Sequence, residues 1–274
     1  MEKFITHIHP PKGVSLGLRE LWQYRELFYF FTWRDIKVKY KQTYLGIIWA
    51  LLQPLGMMLI FTFLFSKTWP INTGTIQYPV FVLSGLILWN LINSAVSHAG
   101  ESMIQNANII NKIYFPRLII PGSSVLVALF DFLMGFVIFI ILCFFYQQNI
   151  HFSAIWFFPA GIIVTIIAAF GAGSFLAALN VKYRDFRYTI PFMLQVLFFG
   201  SQIIYPLQSI QQTWLKYVLA VNPVNTALEF FRAPLSSAKV DTAVVGIGLV
   251  STFLLLLTGI YFFRKTEAYF ADLA

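Results

Sequence analysis

"WRDIKVKYKQTYLGIIWALLQPL", residues 33–55, decides how this chain is read. Its first nine residues hold Arg34, Lys37, Lys39 and Lys41, with Trp33 and Tyr40 among them, and from Leu45 onward the stretch turns apolar. Lysine and arginine collect on the cytoplasmic side of a membrane span, and tryptophan and tyrosine settle at headgroup level. A basic, aromatic segment running into an apolar one therefore marks the cytoplasmic edge of a span. Residues 33–41 contain neither proline nor glycine and suit a helix. At about 100° per residue, Tyr29, Trp33, Ile36 and Tyr40 form one stripe, and Arg34, Lys37 and Lys41 a second. The expectation is an amphipathic helix lying in the cytoplasmic interface. Two roles fit it: an anchor on anionic lipid that also sets topology, or a docking surface for an anionic lipid headgroup such as a diphosphate.

The rest of the chain extends that reading. Hydrophobic residues make up 58% of it and charged residues only 11%, against about 25% charged in soluble domains. A spanning helix needs about 20 mostly apolar residues, and six stretches qualify: about 45–65, 78–97, 118–146, 152–179, 188–205 and 240–263. Residues 206–234 are half apolar but broken by Lys216, Asn222, Pro223, Glu229 and Arg232. They read as short re-entrant helices between spans five and six, since irregular backbone at that depth must be surrounded by protein or a water-filled cavity. With six spans, fifteen lysines and arginines fall on one side; the other side has Lys67, Lys216, Arg232 and Lys239. The positive side is the cytoplasm, which places both termini inside. Residues 1–18 hold Pro10, Pro11 and Gly13 and no apolar core of signal-peptide length, so the first span is expected to direct insertion. The expected fold is an all-α polytopic membrane protein: a cytoplasmic tail and interfacial helix over 1–44, then one six-span domain over 45–274.

Several chemistries find no residues to carry them. Cys143 is the single cysteine, and His7, His9, His98 and His151 form no HExxH pattern, so no metal site is expected. There is no GxSxG and no GxxxxGK[ST] phosphate loop, so the chain is expected neither to catalyse nor to hydrolyse ATP. A membrane glycosyltransferase would need paired carboxylates or a histidine centre. Asp131, Asp185 and Glu229 lie at different levels of the six-span topology and form no such pair. A passive channel is a third reading, against which the basic amino-terminal segment and cytoplasmic loops argue mildly.

Five stretches in order carry a resemblance: 34–55, "FVLSGLILWNLINSAV" (81–96), "NANIINKIYFPRLIIP" (106–121), "LNVKYRDFRYTIPFMLQ" (179–195) and "NPVNTALEFFRAPL" (222–235). Together they resemble the membrane subunit of type-two ABC exporters that move lipid-linked polysaccharides, O-antigen and teichoic acid. The capsule exporters share the architecture, so the glycan type stays open. The resemblance implies a permease in the bacterial inner membrane that pairs with a second copy of itself and with two cytoplasmic ATPase subunits. This chain would bind no cofactor, and ATP and magnesium would belong to the partner. The cargo would be an undecaprenyl-diphosphate-linked glycan. Membrane lipids are the other expected contact, and nucleic acid is not one. The loop between spans two and three, with Asn106, Asn108, Asn111, Lys112, Tyr114 and Arg117, would carry the helix that fits the ATPase. Arg184 and Asp185 would add a lesser contact.

Asp131 sits mid-span, where an ionised carboxylate costs about 2.5–3.5 kcal/mol. A hydrogen bond to a neighbouring helix and a place on the transport path both answer that cost. Tyr205, Trp214 and Tyr217, near Gln202, Gln208 and Gln211, suggest an aromatic rim at the exit. Pro54 should kink the first span, and Gly171 and Gly173 permit close helix approach.

Overall fold

The computed structural model describes residues 18–41, 46–65, 71–183, 185–236 and 240–267. The tail, Lys67, Arg184 and Lys239 lie outside the described residues. Those described are mostly helical, with no strand among them: α1 (Leu18–Gln23), α2 (Arg25–Lys41), α3 (Gly46–Phe63), α4 (Tyr78–Gln105), α5 (Ala107–Ile110), α6 (Ile119–Phe145), α7 (Ala154–Lys182), α8 (Phe186–Phe199), α9 (Thr213–Ala220), α10 (Pro223–Arg232) and α11 (Thr242–Glu267). Four of them, α4, α6, α7 and α11, are long and apolar enough to cross a membrane.

The other two expected spans are shorter. Helix α3 has 18 residues and continues through Pro54, which is buried. Helix α8 has 14, about 21 Å at 1.5 Å per residue. It ends at Gly200, where the Ser201 hydroxyl turns back to donate to the Leu197 carbonyl and the Asn222 amide donates to Ser201 Oγ. The chain from there to Pro206 is irregular, although Ile203, Ile204 and Tyr205 are apolar. Beyond it, the proline-broken stretch forms two short helices and no long one. Helix α10 starts where Asn222 Oδ1 accepts from the Val224 N–H and Pro223 occupies the first turn, the pairing that helix N-termini favour.

Helix α4 is the centre. Val80, Val82, Leu83, Leu88 and Leu91 are almost fully enclosed by α6, α7 and α10. Phenylalanines fill the space between those three: the Phe158 and Phe231 rings lie 4.7 Å apart and Phe139 sits 5.4 Å from Phe231. Association inside a bilayer rests on such van der Waals fit, and small residues let backbones close up. A Cβ on Gly259 would stand 2.1 Å from the Gly171 carbonyl oxygen, so α7 and α11 touch backbone to backbone. Gly173 leaves room for the Ala99 methyl of α4, which a Cβ there would meet at 2.7 Å. Both glycines named from the sequence thus serve packing within the chain. A second core, with Phe31, Met103, Phe115, Leu118 and Phe263, ties α2 to the ends of α4, α6 and α11. Helices α3 and α8 join the first core along one face only, through Met58 of α3 and Ile190 and Leu194 of α8, and leave Trp49, Leu59 and Phe63 of α3 and Phe192, Val196 and Phe199 of α8 exposed.

Candidate transport site

Helix α2 is held against α6 by shape and by charge. Phe28 fills the space left by Gly122, where a Cβ would come within 2.6 Å of the ring. Further along, Lys39 Nζ lies 2.5 Å from Asp131 Oδ2 and the Tyr40 hydroxyl donates to Asp131 Oδ1. The Tyr40 ring meets Phe130 edge-on. Asp131, mid-span by sequence, therefore has two partners, both from α2. Burial, and after it the hydrogen bond to Asp131, pushes the Tyr40 phenol well above its ordinary range, so it remains a donor.

The outward face of α2 carries Tyr29, Trp33, Lys37 and Lys41, all exposed, with Lys37 Nζ 5.4 Å from the Trp33 ring centre. Of the three cations grouped by helical spacing, Lys37 and Lys41 border one shallow surface depression with Tyr40. Arg34 is directed elsewhere. It pairs with Asp35 at 2.8 Å, donates to Asn106 Oδ1 at 2.9 Å and lies 4.8 Å over the Phe31 ring.

The connection from α4 to α6 has a projecting middle and two fixed ends. Asn108, Asn111, Lys112 and Tyr114 are exposed. At one end Asn106 is bound by Arg34 and donates to the Ser102 carbonyl. At the other, the Arg117 guanidinium donates to the Glu267 carbonyl at 2.5 Å, at the end of α11. Six residues that looked alike in sequence thus divide into four that project and two that brace. Asp185 is exposed at the start of α8, on the next loop at the same end.

A polar tract runs inward from here. A cavity of about 650 Å³ lies between α2, α4 and α6, bordered by Arg34, Asp35, Lys39, Gln105 and Asn106. A second, of about 340 Å³, continues between α3, α4 and α6, and the two share Lys39 and His98. Most of the polar lining comes from α4: Asn90, Asn93, Ser94, Ser97, His98, Ser102 and Gln105. Sequence reasoning missed this stripe. Its signal was available, because polar residues spaced three and four apart along an otherwise apolar helix lie on one face.

The opposite end of the bundle holds a third cavity, of about 320 Å³, bordered by Asn72, Gln202, Gln208, Glu229 and Arg232. Arg232 is 6% exposed. Its Nε donates to Ser84 Oγ, one terminal nitrogen to the Gln202 carbonyl at 2.6 Å, and the other to the Phe81 and Ile203 carbonyls. The expected aromatic rim is dispersed. Gln202 is buried, its side chain tied to Asn225 and the Leu207 N–H. The Tyr205 hydroxyl donates to the Phe199 carbonyl. Trp214 and Tyr217 are exposed on α9 and do not border the cavity.

Comparison with known proteins agrees with a membrane transport subunit. Residues 26–236 match the family described as ABC-2 type transporter. The chain is 26% identical over 248 residues to the O-antigen export system permease protein RfbA of Klebsiella pneumoniae, covering 90% of this chain and 95% of that one. It is 26% identical over 255 residues to RfbA of Myxococcus xanthus, covering 92% and 97%. With the polysialic acid transport protein KpsM of Escherichia coli it shares 24% over 240 residues, covering 85% and 91%.

Proposed function

The chain belongs to the ABC-2 type transporter family, and from that premise we propose that it is the permease of a bacterial polysaccharide exporter of the O-antigen type. Its cargo is a glycan on undecaprenyl diphosphate. It works as a pair of copies with two ATPase subunits, in the inner membrane, crossing six times with both termini in the cytoplasm. The absence of a phosphate-cradling GxxxxGK[ST] loop supports a separate ATPase. The excess of lysine and arginine on one side supports the orientation.

The observation that carries this reading is the 106–117 connection, exposed in its middle and tied at its ends to α2 and α11. A partner pressing on Asn108, Lys112 and Tyr114 moves Asn106. Asn106 is bound to Arg34, and α2 is bound in turn to Asp131 of α6. ATP-driven motion thereby reaches the mouth of the polar tract. Lys37 and Lys41 beside Trp33 then meet the anionic headgroup, each basic residue contributing about 1 kcal/mol near an anionic surface.

Two measurements test the proposal. Deleting the gene should abolish surface polysaccharide and leave lipid-linked glycan inside the cell. Unchanged surface polysaccharide would refute the exporter reading. In the reconstituted complex, Lys112→Ala with Tyr114→Ala should cut glycan export at least about tenfold, about 1.4 kcal/mol in coupling, with the permease still inserted. Export at the wild-type rate would remove the connection from the coupling path.

A further inference from the structure

The cavity between α3, α4 and α6 is explained neither by the 106–117 connection nor by the docking of α2. Gln53, Asn90, Asn93, Ser94, Ser97 and His98 line it. None of these six makes a hydrogen bond to another of the described residues. Ser84, Ser102 and Ser123 each donate to a carbonyl of the preceding helical turn, the ordinary way for a serine to satisfy itself in a helix. Ser94 and Ser97 leave that option unused. Polar residues within spans face a cavity and mark pathways.

We propose that this cavity is a binding site for one neutral, hydroxyl-rich sugar unit. The amides of Gln53, Asn90 and Asn93 exchange hydrogen bonds with its hydroxyls, and Trp49 supplies an apolar wall. The inference rests on the exporter reading and adds a place where the passing chain is held. The chemistry of the lining selects the ligand. Amides and hydroxyls both donate and accept, as sugar hydroxyls do. Lys39 and Asp131 at the rim balance each other at 2.5 Å, and the remaining ionisable group in the lining is His98. A diphosphate would meet the Asp131 carboxylate with too little positive charge to offset it. The volume, about 340 Å³, lies at the small end of ligand cavities, roughly 300–1,000 Å³. It suits a single sugar unit rather than a length of chain.

The test uses a single reporter thiol. Cys143 is the only cysteine, so Ser97→Cys in a Cys143→Ala background places one reactive group in the cavity, with Ser94→Cys as the alternative should the first fail to fold. The permease–ATPase complex in nanodiscs is labelled with a small neutral methanethiosulfonate. Competitors are mannose, galactose and rhamnose, and separately inorganic pyrophosphate. At about 0.3 M, well above a dissociation constant of about 10 mM, a fitting hexose should slow labelling at least about fivefold. Adding Asn90→Leu and Asn93→Leu should remove that protection. Protection by pyrophosphate alone, or by none of the sugars, overturns the proposal, as does protection that survives the double leucine change. Loss of the exporter reading would show differently, as wild-type complex that moves no glycan while hexose protection persists.

Discussion

Helix α4 borders two polar regions that are built in opposite ways. Near its start, Arg232 has four hydrogen bonds to Ser84 and three carbonyls, and its guanidinium carbon lies 3.5 Å from the Phe81 ring centre. From Asn90 to His98, the same helix presents amides, hydroxyls and an imidazole that make no hydrogen bond to another of the described residues. The first region is saturated, and Gly85 is part of it, because any Cβ there would stand 2.8 Å from the guanidinium. The second keeps its polar side chains unpaired among the described residues. Saturated polarity fixes the path of the chain across a helix, whereas unpaired polarity fits the sugar site proposed above.

The sharpest way to break this contrast is Arg232→Met. It strips donors from Ser84 and three carbonyls at once. At about 1–3 kcal/mol for each unmet buried group, the loss rivals the whole stability of a domain, about 5–15 kcal/mol. The variant should be absent from the monodisperse fraction after extraction, and its recovery with an unchanged melting temperature would show that the far end is not framework. Asp131→Ala comes next, with an expected cost of about 2–3 kcal/mol because Lys39 and Tyr40 both lose their partner. A double-mutant cycle with Lys39→Ala should give a coupling of at least about 0.5 kcal/mol, and purely additive effects would argue that the pair does not hold α2. Gly85→Ala should cost about 1–2 kcal/mol by overpacking, read as a lowered unfolding temperature in detergent. The smallest change is expected from Asn90→Leu with Asn93→Leu: stability within about 0.5 kcal/mol of wild type, or above it, since no bond within the chain is lost. A large destabilisation there would mean the stripe is saturated after all.

Much of this was legible in the sequence and some was not, for identifiable reasons. The long apolar runs that became α4, α6, α7 and α11 were plain from length alone. The early end of α8 was hidden, because Ile203, Ile204 and Tyr205 carry the apolar run past Ser201 and Gln202, and the side-chain bonds of Ser201 and Asn222 turn the chain there. The cost of Asp131 was visible; its partners were not, since Lys39 and Tyr40 lie 92 and 91 positions away. Arg232 was read as an interruption of the 206–234 stretch and a positive charge on the outer side, because burial leaves no mark on charge counting. The α4 stripe was missed for a different reason: Asn93, Ser94 and Ser97 read singly as tolerable interruptions of a span, and only their common spacing makes them a wall.

The backbone contact between Gly171 and Gly259 bears on how a push travels. With no side chain between them, α7 and α11 cannot roll past each other, so the seam acts as a bearing that has been locked. Arg117 is tied to the end of α11 and shares that immobility. In the proposed coupling, a force on Lys112 and Tyr114 would find one end of its lever clamped to this block and the other held through the Asn106 side chain, between Arg34 and the Ser102 carbonyl. The stroke would then be one-sided, swinging Asn106 and the foot of α2 while the Arg117 end stays as the fulcrum.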